Sequence, residues 1–389
     1  MISSLSIRWY IPLALAICAY LLQKRPLNVQ AARVYWIVYG LGFLGAVLSL
    51  LRAPFLDSAL YNTVGMGISF VPFLLFLPVL ATRLTRRILL AILVGAAFLW
   101  TLEIQRLVKV YGTLYYSTFA ETGENKNDIG YNLSLAAVAL FYLAVFWRPS
   151  RVLRKWQEYA IRLCFGLGGF YIFYNISLIY ARGALLATLV GFVLVIVVIF
   201  IKSPKKSSGM LWSGLVLAIV VLFVVIFLPK VLATSPQWQG MYDRVLATGV
   251  DAFGNRPMLI EKGLFLIGEN PFLGVGVGGS IEAISSIYGN YPHYLIHNTF
   301  LADWAEKGVL GFLSDVVWLL FYLKILRQKF LKSPLIDQIW LVLFIPLFIQ
   351  ISLKNTGTGA MLALLAGIFY EQYFIEKTKK VSSIQEYRR

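Results

Sequence analysis

Long apolar runs separated by short polar breaks cover most of this chain. A hydrocarbon core about 30 Å thick is crossed by a helix of roughly twenty apolar residues. Eleven runs approach that length, near 7–22, 34–51, 59–80, 88–108, 129–147, 159–180, 184–201, 210–228, 300–323, 335–353 and 358–375. They predict an all-α polytopic membrane protein with about eleven (10–12) transmembrane helices and one outer helical loop. The first run is short, but Gln23, Lys24, Arg25 and Pro26 follow it in place of a small-residue cleavage site, so it reads as a retained span.

The polar breaks sort by charge. Segments 23–33, 81–87, 148–162, 202–209, 324–334 and the tail from 376 hold 23 of the 35 Lys and Arg residues. Basic residues gather on the cytoplasmic side of membrane spans, which sets the amino terminus outside and the carboxyl terminus inside. The resulting division is 1–228 for spans one to eight, 229–299 for an outer loop, 300–376 for three further spans and 377–389 for a cytoplasmic tail.

Two outer segments are long, 109–128 and 229–299, and only the second has soluble-like texture. Within it, Gln237 to Ala247 and Pro257 to Ile267 read as short amphipathic helices, with proline suited to a first helical turn. Glu269, Asn270 and Pro271 end the second of these. The glycines from Gly274 to Gly279 then predict a flexible turn, a hinge near any site in this loop. They lack the preceding strand and the lysine of a phosphate-binding loop.

Composition adds exclusions. With 59% hydrophobic and 14% charged residues, the chain is not a soluble globular protein. The net charge of +17 follows membrane topology and does not form a basic aromatic face, so nucleic acid is not expected as a partner. Cys18 and Cys164 lie inside apolar runs and imply neither a disulfide framework nor a metal site.

Candidate chemistry concentrates near the end of the outer loop. Both histidines of the chain, His293 and His297, stand there four residues apart, just before a long apolar helix. Histidine is the side chain whose ordinary pKa suits proton transfer near neutrality, so His297 is the candidate base and Asn298 its neighbour at a helix start. The plainer reading is a capping or interfacial histidine. A shared metal would need three or four ligands, which the surroundings do not supply. Arg182, beside Gly183 at a tight outer turn, runs against the inside bias and would join a helix amino terminus in an anion site. Arg256 heads the outer-loop helix with the same opportunity, while Arg244 has Asp243 at hand and reads as a solvated pair. Glu103, Asp303, Glu306 and Asp315 are the acids near spans that a proton relay would use. With a helix started at His297, Trp304, Gly308, Gly311 and Asp315 fall near the histidine's face and Glu306 opposite.

The ordered set His297-Asn298 with Leu301, then Glu306, Gly308 and Gly311, resembles the carboxy-terminal signature of the O-antigen ligase and O-antigen polymerase family. Arg182-Gly183, Arg256 and the run from Glu269 to Gly276 fit the same resemblance, in detail from about 170 to 370. Members often show twelve spans with both termini inside, against eleven here. The resemblance implies a metal-independent, cofactor-free glycosyltransferase of the C-type class in the bacterial inner membrane, acting on the periplasmic side in lipopolysaccharide or polysaccharide biosynthesis. Its donor would be an undecaprenyl-diphosphate-linked glycan and its acceptor a lipid A core, another glycolipid or a second lipid-linked chain, with membrane lipid around it. By position, His297 would activate the acceptor hydroxyl and Arg182 and Arg256 would hold the diphosphate. Asn298, Arg244 and His293 would support them. The alternative is a transporter or flippase for a lipid-linked anionic glycan, which calls for charged or broken helices at mid-membrane and internal repeat symmetry.

Overall fold

The computed structural model describes residues 27–111, 126–148, 154–179, 181–202, 256–288, 296, 298–330, 333–353, 366–368 and 370–371. Every regular element among them is helical. In chain order they are α1 (Arg33–Ser49), α2 (Leu56–Leu80), α3 (Arg83–Tyr111), α4 (Lys126–Phe146), α5 (Lys155–Leu178), α6 (Arg182–Lys202), α7 (Arg256–Glu269), α8 (Gly279–Tyr288), α9 (Thr299–Lys329) and α10 (Leu335–Leu353). Among the described residues, six helices are long and apolar enough to cross a membrane: α2 to α6 and α9. The chain is a helical membrane protein. The runs near 7–22 and 210–228, most of 358–375, and the helix expected over Gln237 to Ala247 lie outside the described residues.

The chain divides into two compact units, one of residues 1–86, 255–329 and 351–389, the other of 87–254 and 330–350. In the first, α1 lies along α9 because small residues let the backbones approach. A Cβ on Gly45 would come within 2.7 Å of the Lys307 carbonyl oxygen, and one on Gly42 within 3.2 Å of Ser314 Oγ. The Ser314 hydroxyl donates to the Val38 carbonyl at 2.7 Å, a bond that fixes the register of the pair. Tyr35, Tyr39 and Phe70 stack between α1 and α2. Arg86, fully buried, donates to the Leu80 carbonyl at 2.8 Å and to Glu371 at 2.5 Å, so its charge is paired rather than stranded.

In the second unit α4 is the buried centre. Every residue from Asp128's neighbour Ile129 to Tyr142 except Asn132 is buried, and Phe141 meets Phe170 and Phe192. The start of α4 also seats the start of α6. A Cβ on Gly130 would stand 2.7 Å from Ala181 Cβ, and one on Gly183 would stand 2.7 Å from Tyr131 Oη. Gly183 therefore serves close approach to a tyrosine. The helix opens at Arg182, two residues earlier than hydropathy indicated, so Arg182 stands in its first turn.

Candidate functional site

The structure assembles α7, α8 and the turn between them around a break in α9. Gly308 has φ 66° and ψ −162°, a conformation that essentially only glycine adopts, so the helix stops and restarts there. In an unbroken helix the carbonyls of Ala305 and Glu306 would accept from residues 309 and 310. Here they accept from the turn after α7 instead: Val275 N–H donates to Ala305 O at 2.9 Å and Gly276 N–H to Glu306 O at 3.0 Å. The released Val309 N–H donates to Phe272 O at 3.3 Å, and the Trp304 indole N–H donates to Pro271 O at 3.0 Å. Buried backbone groups must be satisfied somewhere, and this turn supplies the partners that the break removes.

The Glu306 side chain completes the splice. One carboxylate oxygen accepts from Gly278 N–H at 2.9 Å and the other from the Ser280 hydroxyl at 2.5 Å, with Glu306 only 6% exposed. Gly274, at φ 74°, lies so close that a Cβ would meet Glu306 O and Gly308 N at 2.6 Å. The glycine stretch expected from sequence to be a flexible hinge is therefore a fixed turn, hydrogen-bonded on both sides. After it comes α8, which no sequence signal predicts; its Ala283 and Ile284 pack into a core with Leu266, Ile267, Ile296 and Ala305.

This core holds the chain on either side of His297. Ile296 is fully buried, and a Cβ on Gly263 of α7 would touch it at 3.2 Å. Asn298 is the cap of α9: its Oδ1 accepts from Leu301 N–H at 3.0 Å, the bond that a favoured N-cap residue makes. The helix thus opens at Thr299, not at His297. The helical face drawn from His297 to Asp315 does not apply, because the cap falls between His297 and the helix and Gly308 breaks the periodicity. Arg256 opens α7, with Pro257 in the first turn. Seven residues separate it from Gly263, about 10 Å of helix rise.

His297, His293 and Arg244 lie outside the described residues, as do the side chains of Arg182 and Arg256. His297 and Arg256 belong to the first unit and Arg182 to the second. The expected convergence of His297, Arg182 and Arg256 is accordingly a matter of side chains outside the description.

Three of the four acids expected as a relay have other partners. Glu103 pairs with Arg106 on the surface of α3, at 2.6 Å. Asp303 pairs with Lys307 at 2.7 Å, and Glu306 is held by the turn. Asp315 is 7% exposed, and its Oδ2 has no hydrogen-bond partner among the described residues. Among those residues, no group of three or more His, Cys, Asp or Glu side chains gathers as a metal ion requires.

Glu306→Ala would strand the Gly278 N–H and the Ser280 hydroxyl, at about 1–3 kcal/mol for each unsatisfied buried group. Glu306→Gln keeps one acceptor and offers its amide to Ser280, so it should recover part of that loss. Thermal unfolding of the two variants in detergent checks this, and equal melting of both with the parent would remove Glu306 from the splice.

Residues 167–314, from within α5 to within α9, match the family model described as O-antigen ligase. This stretch is similar to the O-antigen ligase family, and it contains Arg182, Arg256, His297 and the whole Gly308 splice. That description implies glycosyl transfer of the O-antigen ligase or polymerase type in general. No curated protein and no solved structure matches the chain.

Proposed function

We propose that this member of the O-antigen ligase family moves a glycan from an undecaprenyl-diphosphate carrier to an acceptor hydroxyl on the periplasmic side of the inner membrane. The acceptor is a lipid A core for a ligase, or a second lipid-linked chain for a polymerase. The architecture proposed is that of a C-type glycosyltransferase with about eleven spans, and the reaction needs no metal and no cofactor. The observation that carries this reading is the single family match that holds His297, Arg182 and Arg256 within one stretch.

In the proposed reaction His297 accepts the proton of the acceptor hydroxyl. The oxygen attacks the anomeric carbon, and the bond from that carbon to the diphosphate oxygen breaks with its electron pair going to the diphosphate. Arg182 and Arg256 hold the charge that develops there. A single displacement of this kind inverts the anomeric centre. Support for the histidine comes from its neighbours in sequence: Ile296 packs against Gly263 of α7 and Asn298 caps α9.

Arg182→Ala and Arg256→Ala test the anion role. A hydrogen bond to a charged group contributes about 1.5–3 kcal/mol, so each variant should bind the purified carrier about 10- to 100-fold more weakly. Binding unchanged in both would withdraw the diphosphate assignment.

One observation favours transport as a second reading. A broken apolar helix with a half-buried Asp303–Lys307 pair and a buried Asp315 is the kind of feature that ion-coupled carriers use. The splice gives the break another reason, since the freed Ala305 and Glu306 carbonyls and the Val309 N–H have partners in the turn. Glycan transfer by the protein in detergent micelles, where no compartment exists, decides between the two; transfer seen only across a sealed bilayer would favour transport.

A further inference from the structure

The second unit contains a cavity of about 430 Å³ where α3 begins, α4 ends and α10 begins. This volume lies within the range of small-molecule sites. Its walls are aliphatic: Leu90, Leu143, Ile336 and Ile339, of which Leu90, Ile336 and Ile339 are buried. Its rim is cationic, formed by Arg87 and Arg148 with Trp147 between the apolar wall and the water.

The arginines are not committed elsewhere. Both are exposed, and neither makes a hydrogen bond or ion pair among the described residues. The nearby acids are engaged. Glu158 pairs with Arg162 at 2.5 Å, and Arg162 also donates to the Trp147 carbonyl at 2.8 and 3.1 Å. Asp337, next to Ile336, is buried and has its own partners. Two guanidinium groups therefore line this cavity without a carboxylate partner among the described residues.

The walls are built. The Tyr142 hydroxyl donates to Gln338 Oε1 at 2.9 Å, and Gln338 Nε2 donates to the Ser333 carbonyl at 2.7 Å, which ties α4 to the start of α10. Trp147 meets Phe165 of α5 edge-on, with ring centroids 6.0 Å apart. An aliphatic slot with a guanidinium pair and an indole at its mouth is complementary to an amphiphile with an anionic head. Guanidinium groups suit phosphate through paired donors, and tryptophan sits at the headgroup level of membranes.

We propose that the cavity at Arg87, Arg148 and Trp147 binds one anionic glycerophospholipid, with the phosphate between the arginines and the upper acyl chain along Leu90, Leu143 and Ile339. The site lies on the membrane face that the charge bias assigns to the cytoplasm. It is separate from the proposed transfer chemistry and does not depend on it. A zwitterionic lipid brings an ammonium toward the guanidinium pair and binds less well. Two basic groups at a membrane surface give a preference on the order of thirtyfold.

The test uses the full chain purified in detergent and supplied with phosphatidylglycerol or phosphatidylethanolamine of the same acyl chains, with retained lipid counted by native mass spectrometry. The parent should retain one phosphatidylglycerol in clear preference. Arg87→Gln with Arg148→Gln should lose that preference, and Arg87→Lys with Arg148→Lys should keep most of it. Because both side chains are exposed, the variants should melt with the parent, which confirms that lost retention is not lost folding. Equal retention of the two lipids by the parent, or an undiminished preference in the glutamine variant, overturns the site. Soluble glycerol phosphate should fail to displace the lipid at equal concentration; displacement would assign the site to a small phosphate ester instead.

Discussion

Gly308→Ala is expected to destabilise the protein by about 2–6 kcal/mol. Two costs combine. A residue with a Cβ pays about 1–3 kcal/mol to hold this region of φ and ψ, and overpacking adds about 1–3 kcal/mol. The overlap is with backbone: the new Cβ would run into the Phe272 carbonyl and stand 2.7 Å from Leu273 N, and neither can rotate away as a side chain would. Relief requires the turn to leave α9, which strands Ala305 O, Glu306 O and Val309 N–H together. Gly268→Ala is the control. Its Cβ meets nothing within 4 Å, so it should be neutral or slightly stabilising. Calorimetry or a thermofluor melt in detergent compares the two. If Gly308→Ala melts with Gly268→Ala, the splice does not hold the loop.

The second large effect is on catalysis. His297→Ala should reduce glycan transfer by about 10²- to 10⁴-fold, the usual contribution of a positioned general base. Binding of the undecaprenyl-diphosphate donor should be nearly unchanged, because the diphosphate contacts are assigned to the arginines. The readout is transfer from purified carrier-linked glycan, with carrier binding measured on the same preparation. Asn298→Ala separates position from chemistry. Loss of an N-cap costs about 1 kcal/mol of helix stability, but it removes no proton acceptor. It should lower transfer less than His297→Ala does. Transfer retained by a folded His297→Ala protein would end the base assignment.

The motif that carried the family resemblance changes meaning once its contacts are known. From sequence, Gly308 and Gly311 suggest a helix face near the histidine, and Glu306, on the opposite face, a member of a proton relay. In the structure Glu306 clamps the turn and Gly308 is the break that the turn repairs. Gly311 is the residue whose Cβ would collide with the Asp303 carbonyl across that break. These positions are scaffold, and the loop they hold is the one from which α7 and the chain around His297 are hung. Asn298 likewise acts as a cap.

Hydropathy and charge placement determined that this chain is a helical membrane protein, because an apolar run of sufficient length has one stable form in lipid whatever its neighbours are. Local chemistry also fixed the head of α7 at Arg256-Pro257, its end near Glu269, and the start of a helix after His297, since proline, Asn270-Pro271 and Asn298 act within a turn of where they stand. Tertiary structure decided the rest. Glycines at 274 and 308 permit either a hinge or a rigid splice, and the choice depends on hydrogen bonds between residues some thirty positions apart, which no local pattern encodes. The same holds for the cavity at Arg87 and Arg148, whose walls come from three helices and whose arginines gain a purpose only when those helices meet.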